Sequence, residues 1–116
     1  MQWARQNAPE IYLEELCFGA QQAAEKAIKG VFVHLGEAFP YTHDLEKLLS
    51  LLSQKGVRVP EAIWRAQGLT PFAFELRYPG VGMDITAEEY RQALVIAEAV
   101  VRWAEESILG EGGKRA

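Results

Sequence analysis

The chain predicts an all-α fold: an antiparallel bundle of four to five helices, two long and two or three short. Three observations carry that expectation. Apolar residues recur at three- and four-residue intervals over two long stretches. Alternating strand-like runs are missing apart from the short VRV at 57–59. Residues that start and stop helices, among them Pro9, Gly36, Thr86 and Gly110, bracket the periodic stretches.

The first long helix is expected over Pro9–Leu35. Proline suits a first-turn position, where its missing N–H has no intrahelical partner. Glu10, Glu14 and Glu15 complement the positive N-terminal end of the helix dipole. Leu13, Leu16, Cys17, Ala20, Ala24, Ala27, Ile28, Val31 and Leu35 form one apolar stripe, and Gly36 ends it. Phe39 and Pro40 belong to a connection. Thr42 is the expected N-cap of a second helix with Leu45, Leu48, Leu49 and Leu52 on one face and Gly56 at its close. A third, short helix is expected from Pro60, and a fourth from Thr70-Pro71, carrying Phe72, Phe74 and Leu76 until Pro79 and Gly80. The last helix opens on the capping box Thr86-Ala-Glu-Glu89. Its expected stripe is Tyr90, Leu94, Ala97, Val101, Ala104 and Ile108, broadened by Ala93, Ile96, Val100 and Trp103.

These elements make one domain, 1–109, with a Gly-rich flexible tail at 110–116. The net charge of −4 argues against avid, sequence-independent nucleic-acid binding, which needs an excess of Lys and Arg facing phosphates. The single cysteine, Cys17, fits a reducing cytosol and a cytoplasmic protein. No signal-peptide pattern and no apolar run of membrane-spanning length occurs, so no membrane association is expected.

Catalytic patterns are sparse. The two histidines, His34 and His43, do not form HExxH or paired-His spacing, and CxxC is absent, so no metal is expected. Neither GxGxxG nor GxxxxGK occurs, GVGMD at 80–84 is too short for a phosphate loop, and no cofactor is expected. Cys17 lies in the apolar stripe, where a thiol is a packing residue more often than a nucleophile.

Three strings, CFGAQQAAEKAIKG (17–30), FPYTHDLEKLL (39–49) and ELRYPG (75–80), together resemble the HEPN domain family in order and spacing. With the last helix the resemblance extends from about residue 12 to residue 109. It implies a compact dimeric bundle of four or five helices. It also implies a working partner, because many bacterial and archaeal relatives act with a minimal nucleotidyltransferase, often as toxin and antitoxin. Other relatives are metal-independent ribonucleases that carry Arg followed four to six residues later by His. Here none of Arg5, Arg58, Arg65, Arg77, Arg91, Arg102 and Arg115 has a histidine at that distance. The leading expectation is therefore a non-catalytic homodimer, partner of a minimal nucleotidyltransferase, with nucleotide or RNA binding. The alternatives are a divergent ribonuclease built from Arg77, His43 and Tyr78, and a purely structural dimeric adaptor.

Candidate residues form two groups. At about 100° per residue, Gln21, Glu25, Lys29, Gln22 and Lys26 fall within an arc of about 140° on the first helix. Phe18 and Phe32 project into the same arc, and a solvated helix face rarely carries two phenylalanines. Phe18, Gln21, Gln22, Glu25 and Phe32 are thus the expected dimer or partner interface. The expected nucleotide contacts are Arg77 for a phosphate, Tyr78 for stacking on a base, and His43, Lys26 and Lys29 as further cations.

Overall fold

A computed structural model describes residues 9–73 and 85–110. Helix α1 spans Pro9–Leu35, α2 Leu45–Gln54, α3 Glu61–Trp64 and α4 Ala87–Leu109; a 3-10 helix, Arg65–Ala73, continues from α3. No strand occurs among the described residues. The bounds of α1 match the expected ones. Gly36, at φ 71°, ends it in the left-handed region, where a side chain would be strained. Gly110 does the same for α4 at φ 88°.

The capping box of α4 forms as expected. The Glu89 N–H donates to Thr86 Oγ1 at 3.1 Å, and the Thr86 N–H donates to Glu89 Oε1 at 2.9 Å. Thr86→Ala should therefore cost about 1 kcal/mol in urea unfolding, the usual size of a lost N-cap.

Several local expectations are corrected. Asp44, not Thr42, caps α2: its carboxylate accepts from the Lys47 N–H at 3.2 Å, while Thr42 Oγ1 accepts from the Asp44 N–H at 3.1 Å. Both residues suit a cap, and the chain places the helix start two residues later. As far as Ala73, the two short helices expected from Pro60 and Thr70 are one continuous element, α3 running into the 3-10 helix with Pro71 inside it, and Phe74, Leu76, Pro79 and Gly80 lie outside the described residues. Thr70 does not open a helix there. Its hydroxyl accepts from the Leu45 N–H at 3.1 Å and so ties the start of α2 to the 3-10 helix. The buried face of α4 is Ala93, Ala97, Val100, Trp103, Ala104 and Ser107, while Leu94 and Ile108 of the expected stripe stay part-exposed.

Space for a Cβ on Gly30 of α1 is bounded by Ile108 Cδ1 of α4 at 3.7 Å. Residues 15–23 of α1 share a groove with residues 94–105 of α4. Both contacts together set α1 and α4 parallel within the bundle. The reversal is made by extended chain. Phe39 stacks on Phe32 and His43 reaches Glu25, so the connection 36–44 doubles back along α1. Nine residues at up to ~3.3 Å each easily cover the ten helical residues between Glu25 and Leu35, about 15 Å. Lys55, after α2, pairs with Glu37, after α1, at 3.0 Å.

The core lies where α1, α2, the 3-10 helix and α4 meet. Cys17, Ile28, Val31, Phe32, Leu45, Leu48, Leu49, Leu52, Leu69 and Val100 are fully buried there. Burial at about 25 cal/mol per Å² of apolar surface is what holds the elements together. Two tryptophans fix the segment between α2 and α3: Trp103 Nε1 donates to the Arg58 carbonyl and Trp64 Nε1 to the Val59 carbonyl, each at 3.1 Å. The VRV run is thus a connection satisfied by indole donors rather than a strand.

Candidate functional site

Helical spacing assembles the centre of the site on α1. Gln21, Glu25 and Lys29 succeed one another at four-residue intervals, so their side chains stack on one face. Gln21 Nε2 donates to Glu25 Oε1 at 2.7 Å, and Lys29 Nζ donates to Glu25 Oε2 at 2.7 Å. Gln22 Nε2 donates to Gln21 Oε1 at 3.3 Å. The returning connection supplies the fourth group: His43 Nδ1 lies 3.0 Å from Glu25 Oε1 and 3.1 Å from Oε2.

This carboxylate is buried. Only 7% of the Glu25 side chain is exposed, against 19% for Lys29 and 38% for His43. Burial pushes its pKa up, but hydrogen bonds from Lys29, Gln21 and His43 and the charge of Lys29 outweigh that and hold it below 4.5. An ionised carboxylate only accepts hydrogen bonds, so the proton on this face of the imidazole sits on His43 Nδ1. Lys29 is held a second way, its ammonium 5.4 Å from the centre of the Phe39 ring. Phe39 in turn lies on Phe32 with ring centres 5.6 Å apart. Tyr41, fully in solvent, stands 6.0 Å from the His43 ring.

The expected interface is corrected on three of its five residues. Gln21 and Phe32 are completely buried and Glu25 nearly so. Glu25 and Phe32 face the connection 36–44 of their own chain, through His43 and Phe39. Phe18 and Gln22 are half-buried. Of the expected nucleotide contacts, His43 and Lys29 are brought together, yet both are directed at Glu25. Lys26 is exposed on the outer edge of the same arc. Arg77 and Tyr78 lie outside the described residues. Phe39, expected only as part of a connection, packs on Phe32, a contact that its place outside any periodic stretch does not signal. Among the described residues no three His, Cys, Asp or Glu side chains gather as metal ligands, and no helix is long and apolar enough to cross a membrane.

The described residues form an all-α bundle in which a returning connection covers a polar cluster on the first long helix. The family model described as HEPN domain matches residues 1–107, and the chain belongs to that family. Neither the curated proteins nor the solved structures contain a match to it.

Proposed function

We propose that this protein is a non-catalytic HEPN homodimer that acts as the partner of a minimal nucleotidyltransferase, in a toxin–antitoxin-like pair, and contacts a nucleotide or RNA. The observation that carries the reading is the family match over residues 1–107 in a chain with no histidine four to six residues after any arginine. His43 Nδ1 is engaged by the buried Glu25 carboxylate, which fixes the imidazole where the connection 36–44 returns along α1. Lys26, exposed on the outer edge of that arc, is proposed as a phosphate contact together with Arg77 and Tyr78, which lie outside the described residues.

The test is co-expression with the nucleotidyltransferase of a neighbouring reading frame, followed by purification through a tag on either protein. The pair should co-elute, and light scattering of this chain alone should give twice its 13.0 kDa mass. Total RNA should survive incubation with the protein. Cleavage that disappears in His43→Ala or Arg77→Ala would replace this reading with a ribonuclease. A saturating nucleotide at 100 times its Kd should add about 2.7 kcal/mol of stability, and Lys26→Glu should reduce that gain.

A further inference from the structure

On the side of α1 turned away from Glu25, the parallel helices α1 and α4 leave a groove of about 570 Å³ open among the described residues. Its floor is apolar and shallow: Leu16, Gly19 and Ala23 from α1, Leu94 and Val101 from α4. The register set by Gly30 and Ile108 puts Leu16 level with Leu94 and Ala23 level with Val101. The floor therefore runs straight for about two helical turns, roughly 10 Å. Gly19 is the informative residue. It sits within a 27-residue helix, where glycine is disfavoured relative to alanine by roughly 0.5–1 kcal/mol. A Cβ added there would meet nothing within 4 Å, so nothing in the described part of the chain needs the glycine. The missing side chain leaves room there for a backbone approaching from outside.

The rim identifies the visitor. Glu15, Glu98 and Glu105 border the groove, opposed by Arg102 alone. A second copy seated here would set these three carboxylates against the same three. Like-charge juxtaposition of that kind costs several kcal/mol across an interface. We propose that the α1–α4 groove docks a basic amphipathic helix of a different protein. Its small apolar residues would seat against Gly19 and its Lys or Arg side chains against Glu15, Glu98 and Glu105. This is the helix-in-groove mode of recognition, with an apolar stripe read at three- and four-residue spacing. It requires neither a nucleotide nor a nucleotidyltransferase, and so stands apart from the family role above.

The experiment titrates the isotope-labelled full chain with a synthetic helical peptide of roughly four turns, bearing an Ala/Leu stripe flanked by lysines. A second peptide replaces the lysines by glutamates. Resonances of Gly19, Ala23 and Val101 should move with the lysine peptide and stay fixed with the glutamate one. Gly19→Leu sets its Cβ where nothing described lies within 4 Å, extends into the groove, and should weaken binding about tenfold or more. The double variant Glu98→Lys/Glu105→Lys should reverse the peptide preference, and it tests the proposal even if Gly19→Leu folds poorly. Equal binding of the lysine peptide to wild type and Gly19→Leu would overturn the proposal, as would shifts confined to other surfaces. So would conversion of a dimer to a monomer by Gly19→Leu, which assigns the groove to a second copy. Movement of resonances from residues 1–8 in that variant, without peptide binding, would assign it to this chain's own N-terminal residues.

Discussion

Glu25→Leu should destabilise the protein by about 3 kcal/mol, the low end for removing one partner of a buried ion pair. The low end applies because Lys29 and His43, at 19% and 38% exposure, can turn to water once the carboxylate is gone. Gln21 cannot: it is completely buried and loses the acceptor for its amide. A Tm fall of roughly 10–15 °C is the expected readout. A fall of only a degree or two would mean that the cluster behaves as a solvated surface pair. Glu25→Gln keeps an acceptor and should lose about half as much, because the neutral amide gives weaker hydrogen bonds to Lys29 and His43.

The same residue sets an acid dependence. Burial alone would raise the Glu25 pKa; the bonds from Lys29, Gln21 and His43 reverse that and depress it below 4.5. A depressed carboxylate contributes stability that is fully present above its unfolded pKa and is lost as pH falls through the folded one. The stability gap between wild type and Glu25→Gln should therefore be constant near neutral pH and shrink on descending below about 4.5. Urea midpoints at neutral pH and near pH 3 measure it. A gap that widens in acid would reverse the assigned sign.

Phe32→Ala should be at least as damaging, at about 3–5 kcal/mol in equilibrium unfolding. Its ring is fully buried among Ile28, Val31 and the leucines of α2, and truncation leaves a cavity in the interior. It also removes the surface on which Phe39 lies, and with it the ring that flanks the Lys29 ammonium. Amide exchange in 37–44 should accelerate more than in α4, since that connection is tied to α1 through this stack and through His43. A double-mutant cycle with Phe39→Ala should yield a coupling of about 0.5–1.5 kcal/mol for the ring pair. Zero coupling would mean that the connection is held by the Glu25 cluster alone.

These two residues mark where legibility in the sequence ended. Helical spacing put Gln21, Glu25 and Lys29 on one face and brought Phe32 into the same arc, and all of that holds. The arc's polarity suggested solvent or a partner molecule. In the fold, its inner edge adjoins the apolar stripe through Cys17 and Ile28, so any chain folding over that edge buries it. Lys26 at the outer edge is exposed, and Gln21 at the inner edge is not. Periodicity around a helix gives angular position but not which neighbour lies there. Over Glu25 and Phe32 that neighbour is the connection 36–44, which has no periodic signature.

What was local could be read from residues alone: the helical class, the span of α1, the capping box of α4, and the strings that place the chain in the HEPN family. Each depends on contacts within about four residues, where spacing and residue type are sufficient. What depended on contacts eighteen or more residues apart was settled only by tertiary packing. Glu25 meets His43 across such a gap, and so does Trp103 meeting the Arg58 carbonyl and Ile108 closing on Gly30. The physical reason is that a buried carboxylate can ionise only where donors converge on it, and their convergence is a property of the folded chain rather than of any segment.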